Sequence, residues 1–171
     1  LVGLGFGGAF ADIYKHHPNV GELTLFDTNT GRLQEFRDHL GGDVKIAESF
    51  EQLLADPSID AVHLVTPIPL PADQTVAVLE SGKHCACTVP MATSLEDIRR
   101  ITEAKRKSGK NYMMMETTLY TYQYFYAAKM KEEGQFGKIQ FFRGSHYQDM
   151  ANWPDYWMGL PPMWYGTHAI G

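Results

Sequence analysis

Long apolar runs and clusters of positive charge are both missing from this sequence. No stretch approaches the roughly 18 consecutive apolar residues that a membrane-spanning helix needs. The 171 residues carry a net charge of -5 and no long basic run, which argues against a nucleic-acid-binding surface. We therefore expect a globular protein that binds neither membranes nor nucleic acids, with a small molecule as its partner.

Cysteine is scarce as well. The two cysteines, Cys85 and Cys87, lie two positions apart on one face of a predicted strand, a spacing that does not suggest a disulfide. No other set of residues has the spacing of metal ligands, so we expect no metal site. Free thiols and the lack of a visible signal-peptide pattern lead us to expect a cytoplasmic location.

The two ends of the chain look incomplete. The first strand pattern has only two or three residues before a glycine-rich loop, whereas strands usually have about five or six. The last residues, HAIG, resemble an unfinished element. We expect this chain to be an internal piece of a longer protein.

Short apolar runs alternate with helical patterns over the first 119 residues. Ser49 with Gln52 forms a capping box, and Ser94 and Gly109 bracket another helix. Repeated strand–helix units with short connections predict an α/β fold, a Rossmann doubly wound parallel sheet. The runs that we interpret as buried parallel strands are residues 1–4, 23–26, 61–65, 84–87 and 112–115.

The pattern changes after about residue 120. Residues 120–133 are typical of a helix whose tyrosines pack, and residues 137–148 of a longer strand. The following segment, rich in Pro, Trp and Tyr, is typical of a binding loop over a pocket. We predict a dinucleotide-binding domain at residues 1–119 and, at residues 120–171, the start of a second α/β domain with an open, mainly antiparallel sheet.

A glycine-rich loop follows the first strand. Gly3, Gly5 and Gly8 form a G-x-G-x-x-G pattern between a strand and a helix, the context of a dinucleotide-binding fingerprint. Gly3 allows the tight turn, Gly5 lets the backbone approach a pyrophosphate, and Gly8 lets the helix pack close to the strand. Phe6 and Gly7 complete the predicted cofactor loop. The alternative is a glycine-rich turn that binds no ligand.

Asp27 closes the second strand, 19 residues after Gly8. Its carboxylate is placed to accept hydrogen bonds from the adenosine ribose and would repel a 2′-phosphate, which favours NAD over NADP. Arg32 is near enough in sequence to keep NADP open. Thr66 and Pro67 end a further strand on the same sheet edge, where Thr66 either contacts the cofactor or only ends the strand.

With the glycine loop, Asp27, Thr66-Pro67 and the segment ESGKHCACTVP, the chain resembles the glucose–fructose oxidoreductase/inositol dehydrogenase/rhizopine catabolism (Gfo/Idh/MocA) family along essentially its whole length. The resemblance implies NAD(P)-dependent chemistry on sugars, polyols and related compounds. That family carries Glu-Lys-Pro after the strand, with the lysine in proton transfer. This sequence has Thr88-Val89-Pro90 instead, which puts lysine-based dehydrogenase chemistry in doubt.

A narrower resemblance is to the NAD-dependent α-N-acetylgalactosaminidase-type glycosidases. They also carry Val-Pro at this place, and a Tyr-x-Thr-His-x-x-Gly segment that corresponds here to residues 165–171. A tyrosine soon after the last predicted strand, Tyr120, fits as well. The loop at residues 149–163 is not part of that pattern and suggests a different substrate.

The missing base at Val89 is then supplied, by hypothesis, from the second domain. His168 would take a hydroxyl proton, with Tyr120 as a further acid or base and Tyr165 orienting the substrate. Each of them has a plainer interpretation as a packing residue. We add Thr88 and Glu116 as candidate cofactor contacts, since they end predicted strands at the ligand edge.

Three functions remain open at this point. The first is an NAD(P)-dependent oxidoreductase that moves a hydride between the nicotinamide cofactor and a carbohydrate hydroxyl. The second is a redox-neutral glycoside hydrolase or lyase, in which NAD oxidises a ring hydroxyl and is reduced back at the end. The third is a noncatalytic NAD-linked sensor. We commit to the first, and the resemblance implies a homo-oligomer formed through the C-terminal sheet.

Overall fold

A computed structural model describes residues 1–67 and 70–145 of the chain. The chain divides into two units, Leu1–Met115 and Glu116–Gly171, whereas we predicted the domain boundary after residue 119. The functions predicted for the two domains stay predictions.

The first unit is built on parallel strands. They are β1 (Thr24–Leu25), β2 (Lys45–Ile46), β3 (Ala61–Leu64), β4 (His84–Thr88) and β5 (Tyr112–Met115). β1 pairs with β2, and β3, β4 and β5 pair in that order, all in parallel. Val2 bridges Phe26 on one side and Leu64 on the other, so residues 1–3 join the two groups into one sheet. The resulting order is that of a Rossmann sheet.

Helices cross between consecutive strands on both faces. They are α1 (Gly8–His16), α2 (Thr30–Leu40), α3 (Phe50–Ala55), α4 (Pro71–Glu80) and α5 (Leu95–Ser108). The predicted doubly wound α/β fold is confirmed. Our strand list lacked β2, because Lys45–Ile46 has two residues and only one of them is apolar.

Helix ends follow the capping residues that the sequence contains. Ser49 Oγ accepts a hydrogen bond from the Gln52 amide at 3.0 Å, and Gln52 Oε1 accepts one from the Glu48 amide at 2.6 Å. Ser94 Oγ accepts from the Asp97 amide at 3.1 Å, and Gly109 ends α5 with a φ of 68°. These contacts satisfy backbone groups that a helix end leaves unpaired.

The core lies on both faces of the sheet, because successive strand residues point in opposite directions. On β3, Val62 and Leu64 are buried with Cys85 and Cys87 in one cluster. The cluster on the other face includes Leu4, Ala11 and Leu25. The cysteines are free and buried, as predicted. β5 departs from our expectation of a buried strand: Met113 and Met114 are each 45% exposed, since β5 pairs on one side only within the described residues.

The second unit begins with a short 3-10 helix, Thr117–Tyr120, followed by α6 (Tyr122–Glu132). The helix predicted at residues 120–133 is therefore present. Its tyrosines are more exposed than the expected packing implies, since Tyr122 is 76% exposed and Tyr126 is 54% exposed. The rings of these two residues stack on each other with the centroids 6.0 Å apart. Residues 137–145 form no strand in the described part of the unit. A strand needs a pairing partner, and none is present among the described residues, so the second sheet stays a prediction.

Candidate dinucleotide site

The glycine loop is pressed against the end of β3. Gly3 has a φ of 85°, a conformation that favours glycine, and a Cβ there would overlap the carbonyl oxygen of Val65. The Gly3 amide donates to the Phe26 carbonyl at 2.8 Å. Any larger residue at Gly3 would separate the loop from the sheet edge, so this glycine sets the turn as the motif predicts.

Gly5 occupies the open side of the loop. It is exposed, and a Cβ built on it would meet only Arg32 Nη1, at 3.8 Å. The protein itself therefore does not require glycine at this position. Phe6 beside it is 49% exposed, and its ring packs edge-to-face on Phe10 with the centroids 5.8 Å apart. An exposed glycine that its own fold does not need is what close approach by a bound pyrophosphate would explain.

The last two glycines of the loop serve packing. A Cβ on Gly7 would overlap the Gly3 carbonyl oxygen, and a Cβ on Gly8 would overlap the ring of Phe36 on α2. We predicted that Gly8 would let its helix approach the strand. Its nearest neighbour is instead a helix, because α1 and α2 cover the same face of the sheet and Phe36 fills the space above Gly8.

Asp27, just after β1, is hydrogen-bonded to the glycine loop. Its carboxylate accepts hydrogen bonds from the Leu4 amide at 2.6 Å, the Asn29 amide at 2.7 Å and Arg32 Nη1 at 3.3 Å. It is 8% exposed. The sequence placed Asp27 at the strand end but did not indicate that it ties the glycine loop to α2.

The threonines predicted to touch the cofactor end neighbouring strands at this edge. Thr66 Oγ1 donates to Gln74 Oε1 at 2.5 Å, and Thr88 Oγ1 donates to the Leu64 carbonyl at 3.0 Å. Both hydroxyl protons are thus committed to the protein, and the hydroxyl oxygens can still accept hydrogen bonds. Pro67 follows on the exposed side of the same edge. Their contact with a cofactor stays a prediction.

The end of β4 offers no acid or base. Val89, where the resembling family has lysine, is 38% exposed. The one nucleophile nearby is Cys87, and burial raises the pKa of its thiol to about 11; burial likewise raises the pKa of Cys85 to about 12. Neither thiol is ionised near neutral pH, so neither acts as a nucleophile there.

A buried histidine behind α1 was missed by the sequence analysis. His63 on β3 is 5% exposed; its Nδ1 shares a hydrogen bond of 2.9 Å with the Tyr14 hydroxyl, and its ring packs against Phe10. Its Nε2 has no hydrogen-bond partner within the described part of the chain. Burial lowers the pKa of His63 to about 4, so the imidazole is neutral near pH 7. Only the tertiary packing of α1 on β3 reveals this environment.

The remaining predicted residues belong to the second unit. Glu116 Oε1 accepts a hydrogen bond from the Thr118 amide at 2.8 Å and so caps the short 3-10 helix. Tyr120 ends that helix with its side chain 64% exposed. His168 and Tyr165 lie outside the described residues. The catalytic roles given to these residues stay predictions.

A dinucleotide fits the arrangement in the first unit. Gly3 and Gly7 leave no space for a Cβ, Gly5 leaves its space open to a ligand, and Asp27 stands beside the loop. Across residues 1–67 and 70–145, no group of three or more His, Cys, Asp or Glu could hold a metal ion. None of the helices in those ranges has the length and apolar character to cross a membrane.

Parallel sheet order, a glycine loop at its carboxyl edge and an acid after the second strand define a dinucleotide-binding Rossmann protein. The sequence profile of the oxidoreductase family with an NAD-binding Rossmann fold, Gfo/Idh/MocA, matches residues 1–116. The chain belongs to this family.

Curated relatives carry the name of a glycosidase family. The chain is 27% identical over 192 aligned residues to glycosyl hydrolase family 109 protein 1 of Bacteroides thetaiotaomicron, covering 100% of this chain and 40% of that protein. It is 29% identical over 167 aligned residues to a glycosyl hydrolase family 109 protein of Porphyromonas gingivalis, covering 92% of this chain and 36% of that protein. The chain thus spans about two-fifths of these relatives' length.

Solved structures share the fold. An NAD-binding protein from Listeria innocua superposes with a TM-score of 0.71 at 26% identity, covering 80% of this chain and 40% of that one. A myo-inositol 2-dehydrogenase from Lactobacillus plantarum superposes with a TM-score of 0.74 at 20% identity, covering 81% of this chain and 41% of that one. At that identity, the second comparison supports the fold alone.

Proposed function

We propose that the protein is an NAD(P)-dependent oxidoreductase that removes a hydride from, or returns one to, a hydroxyl-bearing carbon of a sugar, polyol or related carbohydrate. The observation that carries the proposal is the glycine loop, in which Gly5 alone is left open while Gly3, Gly7 and Gly8 are closed by the protein. The names of the curated relatives support the carbohydrate class, since they are glycosyl hydrolases.

The described residues do the binding. The backbone amides of the glycine loop would hold the pyrophosphate, and the Asp27 carboxylate would accept hydrogen bonds from the ribose hydroxyls. Thr66 and Thr88, at the next two strand ends, would contact the rest of the cofactor. When bound, the nicotinamide ring accepts or gives back the hydride. Val89 cannot exchange a proton with the substrate hydroxyl, so another residue has to do so.

We propose that His168 accepts this proton. Tyr120 would be a further acid or base, and Tyr165 would orient the substrate. An imidazole titrates near neutral pH and can accept a hydroxyl proton as the hydride leaves. In the full-length protein, His168→Ala is expected to lower kcat at least about a hundredfold while the NAD dissociation constant changes by less than about threefold.

His39→Ala is the matched control for that variant, since His39 is an exposed histidine of α2. Steady-state kinetics and calorimetric titration of NAD measure both quantities. Full turnover in the His168 variant would remove this residue from the mechanism.

A second candidate function, redox-neutral cleavage of a glycoside, is favoured by two observations. The curated relatives that match the chain are named glycosyl hydrolases. Val89 also stands where the dehydrogenases that the chain resembles have lysine. In this reaction the hydride is taken and returned within one cycle, so no reduced cofactor accumulates. A noncatalytic sensor, the third possibility, would give no turnover at all.

The deciding experiment presents the full-length protein, with NAD, to free sugars, polyols and aryl glycosides. NADH absorbance and release of the aryl alcohol are followed together. NADH that rises in step with turnover supports the dehydrogenase, and many turnovers of aryl alcohol without NADH support the redox-neutral cleavage. The homo-oligomer and the cytoplasmic location stay predictions that this experiment does not address.

A further inference from the structure

His63 joins β3 to the helix that follows the glycine loop. Its Nδ1 shares the 2.9 Å hydrogen bond with the Tyr14 hydroxyl, and its ring meets the ring of Phe10 edge-to-face with the centroids 4.9 Å apart. Phe10 and Tyr14 lie one turn apart on α1. A single imidazole therefore contacts this helix along a full turn.

These contacts continue to the glycine loop. Phe10 also packs edge-to-face on Phe6, with the centroids 5.8 Å apart. Phe6 follows Gly5, the glycine that is left open to a ligand. Since Phe10 lies between the imidazole and the loop, a change in the size or shape of residue 63 reaches the loop through one ring.

The other contacts of α1 depend less on direction. The buried residues of the helix are Gly8 and Ala11, whose small size leaves little apolar surface to bury. Its ion pair between Asp12 and His39 is exposed, and such pairs contribute little stability. A hydrogen bond and an edge-to-face ring contact are both directional, so the contacts with His63 fix the orientation of α1 more closely.

We propose that His63 is a positioning residue of the dinucleotide site, which orients α1 so that its first turn and the amides of the glycine loop face a bound pyrophosphate. The inference rests on the proposed function, since it requires a dinucleotide on that loop. His63 is 5% exposed, so it acts through Phe10 and Tyr14 and not by contact with the ligand.

A residue that only stabilises the core gives a different result from one that positions the site. Loss of a stabilising contact lowers the fraction of folded protein and leaves the affinity of the folded protein as it was. Loss of a positioning contact lowers the affinity of the folded protein for the part of the ligand that is misaligned. Binding measured on folded variants therefore separates the two roles.

The test uses the full-length protein and two ligands, at a temperature where each variant is folded. NAD carries the pyrophosphate, whereas adenosine carries the ribose hydroxyls without a phosphate. His63→Ala removes both the hydrogen bond and the ring, and is expected to weaken NAD binding at least about tenfold and adenosine binding less than about threefold. Calorimetry measures the first dissociation constant and ligand-observed NMR the second.

Two conservative variants divide the contacts of His63. His63→Asn keeps an acceptor near the place of Nδ1 but loses the ring, and His63→Phe keeps a ring but loses the hydrogen bond. Each is expected to lie between wild type and His63→Ala in NAD affinity. The matched control is Val62→Ala, since Val62 is the preceding residue of β3, is 1% exposed and belongs to the cluster on the opposite face. It is expected to lower the melting temperature and change neither constant.

Three results would overturn the role of His63 and leave the proposed function standing. The first is a folded His63→Ala variant with the NAD affinity of wild type. The second is equal weakening of NAD and adenosine in that variant, and the third is equal loss of NAD affinity in Val62→Ala. If the wild-type protein binds neither ligand, the inference and the nucleotide site of the proposed function fail together. Should His63→Ala not fold, His63→Asn and His63→Phe decide by the same criteria.

Discussion

At the scale of single residues, the glycines of the loop are each required for a different physical reason. The spacing of the glycines between a strand and a helix was enough to identify the loop. It could not identify Phe36 as the neighbour of Gly8, or the partners of Asp27, because those contacts join segments that are separate in sequence. The environment of His63 was missed for the same reason.

The contrast between Gly5 and Gly8 gives a prediction. Gly5→Ala is expected to change the free energy of unfolding by less than about 0.5 kcal/mol, because its Cβ meets only a side-chain nitrogen at 3.8 Å. It is also expected to weaken NAD binding at least about tenfold, because the added methyl occupies the space of the pyrophosphate. Gly8→Ala is expected to destabilise the domain by about 1–3 kcal/mol through overlap with the ring of Phe36.

Chemical denaturation and NAD titration of both variants, with the wild type beside them, measure these effects. Unchanged NAD affinity in Gly5→Ala would mean that no pyrophosphate lies over that position. A Gly8→Ala variant as stable as wild type would mean that Phe36 moves aside without cost.

At the scale of elements, short sequence patterns predicted the ends of helices correctly but predicted strands less reliably. Ser49 and Ser94 begin their helices and Gly109 ends one, as predicted, since a cap acts within three or four residues. β2 has two residues and was missed, and residues 137–145 were predicted to begin a strand that the described part of the chain does not show. Strands depend on partners distant in sequence, which no local pattern reports.

The N-cap of α5 is a test at this scale. Ser94→Ala removes the acceptor of the Asp97 amide and is expected to destabilise the first unit by about 1 kcal/mol. Thr102→Ala, on the same helix, is the control: its hydroxyl only donates to the Ile98 carbonyl at 2.7 Å. Since alanine is the better helix former, the control is expected to be neutral or slightly stabilising. Equal stability of wild type and Ser94→Ala in denaturant titrations would contradict the assignment of the cap.

At the scale of the whole first unit, the buried imidazole of His63 makes the free energy of unfolding depend on pH. The folded-state pKa of His63 is about 4 and its ordinary value is 6.5. Between these values the unfolded chain binds a proton that the folded chain excludes, so stability falls as pH falls from about 6.5 to about 4. The expected loss from this residue is about 2–3 kcal/mol over that window.

Urea titrations at a series of pH values measure that dependence. His63→Gln is expected to remove the His63 portion of the acid destabilisation, whereas His39→Ala, an exposed histidine of α2, is expected to retain it. The assignment is wrong if wild type and His63→Gln lose stability in parallel between neutral and acid pH.

The ring of Phe36 over Gly8 has a consequence for how such proteins diverge. Phe36 lies one helical turn after Arg32 on α2, so the packing on Gly8 and the contact with Asp27 are both made by one helix. A lineage that acquires a bulkier residue at position 8 has to shrink position 36 or let α2 shift, and a shifted α2 carries position 32 away from Asp27. Positions 8, 32 and 36 are therefore expected to covary.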